Sequence, residues 1–509
     1  MGRSVGALVL AKIFSATVRG IDGYIVQVEV DLSPGLPVFS TVGLPDAAVR
    51  ESRERVVAAV RNSGFDFPVR RVTVNLSPAD VRKEGTAFDL PIALGVLVAE
   101  ELVPGEILKR FVVVGELALD GRLRPVRGLL SIALAARDKG YEGLILPVAN
   151  VEEAAVVEGL TLVPAESLEQ TVKYLRGEWF PEPTIQTKKT QEPVVSEMDF
   201  ADVRGQMFAK RALEVAAAGG HNVMMIGPPG SGKTMLARRL PGLLPPMSFE
   251  EALETRKIHS VSGVVTGPLS HERPFRSPHH TISDVALIGG GSVPRPGEVS
   301  LAHNGALFLD ELPEFDRHVL EVLRQPLEEG EVMVSRATLS VLFPARFTLI
   351  AAMNPCPCGY QGHPDRECVC SPFQVQKYRG KISGPLLDRI DLHIEVPALR
   401  LAELTEDPLP AESSSTVRER VLKARARQKE RGTPCNAHMT SKQVKAFCKL
   451  DTGSKNLLKS AVSRLGLSAR SFDRILKVSR TIADLAGSPG VAEEHVAEAI
   501  GYRSLDRSV

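Results

Sequence analysis

Gly227-Pro228-Pro229-Gly230-Ser231-Gly232-Lys233-Thr234 follows the short apolar run His221–Ile226 and leads into the helical pattern Met235–Leu240. The spacing G-x-x-x-x-G-K-[ST], set between a strand and a helix, predicts a phosphate-binding loop. Glycines let the backbone amides curl around a β-phosphate, and the start of the helix adds partial positive charge. Lys233 reaches the β- and γ-phosphates, and Thr234 ligates Mg²⁺. A chance Gly-rich turn is the bland alternative, and the strand–loop–helix setting argues against it.

Downstream, the predicted strand Ala306-Leu307-Phe308-Leu309 ends in Asp310-Glu311. Open α/β sheets bind ligands at the carboxyl ends of their strands. Asp310 is therefore expected to hold Mg²⁺ and Glu311 to polarise the attacking water. The predicted strand Phe347–Met353 ends in Asn354, a polar group for the water or the γ-phosphate. Asn before Pro is also an ordinary turn former.

The composition excludes several classes. In 509 residues the hydrophobic fraction is 43% and the charged fraction 24%, so the chain is not wholly disordered. No apolar run approaches the ~18 residues of a membrane span. Val5–Ala11 reads as a strand and not as a signal peptide. A net charge of +1 confines any nucleic-acid contact to a local patch. Six cysteines make no disulfide scaffold and fit a reducing cytoplasm.

Four segments are expected. Residues 1–175 read as an α/β unit, with strands at Tyr24–Val30, Arg71–Asn75 and Phe111–Val114 and helices at Pro45–Asn62 and Asp89–Glu101. Residues 176–197 are a polar, Pro-containing linker. Residues 198–400 alternate strands and helices around a parallel sheet. Residues 401–509 read as helices. Cys356-x-Cys358 and Cys368-x-Cys370 lie on a Gly/Pro-rich loop. Four thiolates there suit a structural zinc; free thiols, or His363 as a replacement ligand, are the alternatives.

The order of phosphate loop, acid pair, strand-end Asn and helical segment resembles the AAA+ ATPases. Phe275-Arg276-Ser277-Pro278-His279-His280-Thr281, Asn354-Pro355-Cys356-Pro357-Cys358-Gly359 and Ser383-Gly384-Pro385-Leu386-Leu387-Asp388-Arg389-Ile390-Asp391 resemble the magnesium-chelatase-like branch, and within it the bacterial ComM/YifB type. The resemblance implies an α/β protein of three parts. They are a Lon-protease-like domain of the ribosomal S5 domain 2 type, an AAA+ P-loop domain with a parallel sheet, and a C-terminal α-helical lid. It implies ATP and Mg²⁺ as cofactors, a homo-oligomeric hexamer, and single-stranded or branched DNA as partner, with helicase activity in recombination of incoming DNA. Arg389 would be an arginine finger aimed at a neighbour's γ-phosphate; an in-chain pair with Asp388 or Asp391 is the alternative. Arg470 would be the lid arginine, with Arg474 as its rival.

The resemblance also places the Lon serine at Ala87 and the Lon lysine at Leu130, so no peptidase activity is expected. Residues 247–300 read as an insertion whose Arg273, Arg276, His279 and His280 could grip phosphates; metal binding by the histidine pair is a weaker alternative. Arg418, Arg420, Lys423, Arg425, Arg427, Lys429 and Arg431 crowd one predicted helix, as a DNA or subunit contact or as a solvated face. Three other functions share parts of this pattern: a magnesium-chelatase motor, a MoxR-like chaperone and a Lon protease.

Overall fold

Period-two burial shapes the first sheet. In the strand Asp22–Ser33, Val26, Val28 and Val30 are buried while Gln27, Glu29 and Asp31 are only partly covered. The computed structural model describes residues 10–182, 198–264, 269–291, 293–336, 339–398, 412–465 and 468–503. Most of the strand expected over Val5–Ala11 lies outside them, as do residues 183–197 of the expected linker.

The chain divides into two compact units. Unit one joins the N-terminal part of the chain, up to Gln191, to Ala252–Ser270. Its strands are β1 (Ala11–Arg19), β2 (Asp22–Ser33), β3 (Phe39–Val42), β4 (Arg71–Ser77), β5 (Phe111–Val113), β6 (Gly143–Pro147) and β7 (Thr161–Ala165). They form one mixed sheet in the order β3-β4-β2-β1-β5-β6-β7. Val113 and Ile145 join one apolar cluster, with helices Ala47–Asn62 and Asp89–Ala99. Val112, Leu144 and Leu146 join the other, with helix Leu129–Asp138. Both faces are therefore covered, which is why β5 and β6 read as continuous apolar runs.

Residues 252–270 correct one expectation. They were read as part of an insertion in the phosphate-loop unit, and they pack with unit one instead. Leu253 joins its second apolar cluster, Lys257 pairs with Asp22 at 2.5 Å, and the Gly128 amide donates to the Ser260 carbonyl at 3.3 Å.

Unit two holds a five-stranded sheet of β8 (Val223–Ile226), β9 (Phe275–Arg276), β10 (Ala306–Leu309), β11 (Thr348–Met353) and β12 (Leu392–Glu395). The order is β9-β10-β11-β8-β12 and every pair is parallel. Ile226 lies beside Met353, and Leu309 beside Ala351, so three strands end together at one edge. The helices Ser414–Glu430, Ser441–Phe447, Thr452–Leu465, Ala469–Leu485 and Glu493–Gly501 belong to the same unit. Val421, Ile475 and Val496 share a core with the alanine-rich helix Met207–Gly219 and with Val223 and Leu392.

Candidate nucleotide site

Where β8, β10 and β11 end, the expected residues meet. Lys233 is buried, and its ammonium donates to the Gly227 and Pro228 carbonyls at 2.7 and 2.9 Å and to Asn354 Oδ1 at 3.3 Å. Burial pushes its pKa down, while Asp310 and Glu311 oppose that shift. Thr234 Oγ1 donates to Asp310 Oδ2 at 2.7 Å, and the Glu311 amide to Asp310 Oδ1 at 2.9 Å. Gly230 and Gly232 have φ of +77° and +92°, a region closed to most side chains. The loop residues Gly227 to Thr234 thus run from the end of β8 into the helix that starts at Lys233.

These groups fit a magnesium nucleotide. Ser231 Oγ is buried with no hydrogen-bond partner among the described residues, and open space lies where a Cβ on Gly230 would stand. The Thr234 hydroxyl and Asp310 carboxylate are hard oxygen donors of the kind Mg²⁺ takes.

Glu311 has a φ of +52°. For a non-glycine residue this left-handed conformation costs roughly 1–2 kcal/mol, and such strain concentrates at functional sites. His280 Nδ1 stands 3.5 Å from Glu311 Oε2, and the His279 and His280 rings lie 4.1 Å apart. This relocates a residue that the sequence placed among phosphate-gripping groups. The pairing of β9 with β10 carries the segment after Arg276 past the acid pair, and only that long-range register reveals it.

The other cations of that segment have partners within the chain. Arg273 donates to the Pro245 and Asn304 carbonyls and to Glu251. Arg276 makes two 2.7 Å bonds to Glu298. The basic helix is corrected in the same way. Arg418 donates to the Gly242 carbonyl, Arg420 bridges Glu214 and Glu412, Arg425 holds the Ala217 carbonyl, and Arg427 and Arg431 hold Asp484. These guanidiniums tie the C-terminal helices to the rest of the unit, and Lys423 and Lys429 are left exposed.

Cys356, Cys358, Cys368 and Cys370 converge, with their sulfurs all within 4.8 Å of one another. Three of the separations are 3.4, 3.6 and 3.6 Å. A zinc–sulfur bond of about 2.3 Å makes a tetrahedron edge of about 3.8 Å, so the spacing fits a Cys₄ zinc. His363 is not in the cluster. Gly359, on the same loop, has a φ of +84°, and a Cβ there would stand 2.7 Å from Pro229 of the phosphate loop. Cys435, outside this cluster, lies buried 3.2 Å from His438 Nδ1. Burial opposes its ionisation, but Arg425 and His438 prevail and pull its pKa to about 6.

The two expected arginines stand apart from this edge. Leu392, next to the Arg389–Asp391 segment, lies beside Val223, the first residue of β8, whereas the phosphate loop leaves after Ile226. Three residue steps along the strand, about 10 Å, separate the two edges. Arg389 is buried against the Pro385 carbonyl and pairs with Glu328, rather than with Asp388 or Asp391, the in-chain alternative. Burial, and then Arg324, Arg470 and Arg474, push its pKa down, while Glu328 opposes them. Arg470 is exposed, and its charge is among those acting on Arg389. Asp391 is taken by Arg474. Although burial disfavours its charge, Arg474 and His221 hold the Asp391 carboxyl ionised, far below the usual carboxylate range.

In unit one, Leu130 is buried and Ala87 packs against the same apolar cluster. The nearest polar candidates are engaged elsewhere, Thr86 with Glu116 and the buried Lys83 with the Pro78 carbonyl.

The chain matches three family models. They are "Magnesium chelatase, subunit ChlI" over residues 199–404, "Subunit ChlI of Mg-chelatase" over 28–150, and "Magnesium chelatase, subunit ChlI C-terminal" over 411–503. It is 48% identical to competence protein ComM of Haemophilus influenzae, over 98% of each chain. It is 44% identical to YifB of Escherichia coli, again over 98% of each. The chain belongs to the ComM/YifB family of magnesium-chelatase-like proteins. The chloroplast magnesium-chelatase subunit ChlI-2 of Arabidopsis thaliana is more distant, 25% identical over 61% of this chain and 75% of its own. Membership of this AAA+-like family points to ATPase activity and to ATP with Mg²⁺. No helix among the described residues is long and apolar enough to cross a membrane.

Proposed function

We propose that this ComM/YifB-family chain is a cytoplasmic, ATP-hydrolysing hexameric ring motor that acts on single-stranded or branched DNA, moving junctions during recombination of incoming DNA. The meeting of Lys233, Thr234, Asp310, Glu311 and Asn354 at one sheet edge carries the ATPase part. Full-length likeness to a protein named for competence supports the DNA part. The arginines of the basic helix do not, because they are engaged within the chain.

The loop amides and Lys233 hold the triphosphate, Thr234 and Asp310 hold Mg²⁺, and Glu311 orients the attacking water and takes its proton. Bound Mg²⁺ neutralises charge on the β- and γ-phosphate oxygens. Asn354 orients the water or the γ-phosphate, and Arg389 of one subunit serves the nucleotide of the next. In this reading residues 1–175 are a Lon-like, protease-inactive domain, 176–197 a linker, 198–400 the AAA+ core and 401–509 the helical lid, with Arg470 on the side of the subunit that donates Arg389. The test is ATP hydrolysis with and without a four-way DNA junction. Stimulation by the junction is expected. A rate unmoved by any DNA but raised by a protein partner would favour a MoxR-like or chelatase-like remodeller.

The cysteine cluster holds a structural zinc in this reading. Elemental analysis of protein prepared without chelator should find about one zinc per chain. Stripping it should slow hydrolysis, because Gly359 braces Pro229 of the phosphate loop. Metal-free protein with full activity would remove zinc from the description.

A further inference from the structure

The backbone that carries Arg389 is gripped by the C-terminal helices. Arg474, on helix Ala469–Leu485, pairs with Asp391 and donates to the Arg389 carbonyl at 3.3 Å. Arg503 donates to the Ile390 carbonyl at 2.8 Å and to Ser471 Oγ, on the same helix, at 3.1 Å. From the sheet side, Asn222 donates its side-chain amide to the Arg389 carbonyl at 3.0 Å and its backbone N–H to Asp391 Oδ2 at 3.1 Å. His221 bridges Asp391 and Thr481 at 3.3 and 2.8 Å.

Two features make this more than packing. Two consecutive carbonyls, Arg389 and Ile390, accept from arginines of the C-terminal helices, so a displacement of those helices must drag the segment along. The grip also sits at the amino-terminal edge of β8, about 10 Å along the strand from the edge where the phosphate loop starts. A guanidinium bound to Asp391 there cannot also serve a phosphate at that loop.

We propose that Arg474 and Asp391 form a clamp through which the C-terminal helices set the position of Arg389, so that Arg474 governs hydrolysis at the neighbouring subunit's nucleotide and not at its own. Arg474 is a positioning residue in this scheme. The inference rests on the proposed action of Arg389 across a subunit boundary.

Mixed assemblies test both layers. Glu311→Gln disables a subunit's own pocket, and Arg389→Ala disables what it offers its neighbour. Mixed one to one, these two variants should recover about a quarter of the wild-type rate, since one head-to-tail interface in four joins an intact pocket to an intact finger. Arg474→Ala should be nearly inactive alone with nucleotide binding retained, should be rescued to the same level by Glu311→Gln, and should not be rescued by Arg389→Ala. Arg474→Lys keeps a cation facing Asp391 but replaces the planar guanidinium, one nitrogen of which serves both Asp391 and the Arg389 carbonyl. It carries the same test if the alanine variant does not fold. Rescue of Arg474 variants by Arg389→Ala, rescue by neither partner, or full activity alone overturns the clamp while leaving the finger in place. Failure of Glu311→Gln to complement Arg389→Ala overturns the finger itself, and the clamp with it.

Discussion

The Glu311→Gln variant should bind ATP with wild-type affinity and hydrolyse it roughly 10²–10⁴-fold more slowly, the range expected when a positioned general base is lost. The geometry supports separating binding from chemistry. The groups that would hold the triphosphate are the loop amides, Lys233 and the Thr234–Asp310 pair, and none of them depends on the Glu311 side chain. Glu311 follows Asp310 directly but has its backbone in the left-handed region, so the two carboxylates diverge. Asp310 turns toward Thr234, and Glu311 toward His280. Amide replacement keeps the size of the side chain and removes its capacity to accept a proton. Lys233→Ala should do the reverse and abolish binding, because it removes a buried cation from the phosphate cradle. Nucleotide titration followed by single-turnover hydrolysis distinguishes the two. A Glu311→Gln protein that turns over at the wild-type rate would take Glu311 out of the chemistry.

Local chemistry made this edge legible. The glycine spacing, the acid pair and Asn354 each stand at the end of an apolar run, and a parallel sheet brings such ends together. The helical character of the C-terminal part was equally readable, and among its described residues helices such as Ala469–Leu485 are found. What the sequence did not disclose are partners across long chain separations. For Arg389 the alternative to a finger was a pair with a neighbouring aspartate, and its partner within the chain is Glu328. The basic helix reads as a charged surface because its arginines cluster, yet carboxylates and carbonyls far away in the chain consume them. Segment 252–270 is assigned to the first unit by contacts such as Lys257 with Asp22, which no local pattern encodes. Charge density along a helix specifies neither exposure nor partner.

Arg389→Ala should retain ATP binding and lose roughly 10³–10⁵-fold in hydrolysis, the range for an arginine that neutralises transition-state charge. Within its own chain the side chain is held by the Pro385 carbonyl and Glu328. Its segment starts at the opposite edge of β8 from the phosphate loop, and Asn222, Arg474 and Arg503 fix the surrounding backbone there. In the proposed assembly Arg389 reaches the phosphates of a second copy of the chain. The hydrolysis rate per chain should accordingly rise with protein concentration until assembly is complete, and Arg389→Ala should flatten that rise. Glu328 makes the dependence sharper. Its carboxylate occupies the guanidinium in the isolated chain, so a neighbour's γ-phosphate must displace it before Arg389 can act. A carboxylate half exposed to water is a weak competitor for a doubly charged phosphate. Glu328→Gln should thus lower the concentration at which hydrolysis reaches half its maximum and leave that maximum unchanged. Light scattering alongside the ATPase assay gives both quantities. A chain that hydrolyses ATP at full speed while strictly monomeric would leave Arg389 as an in-chain structural cation and nothing more.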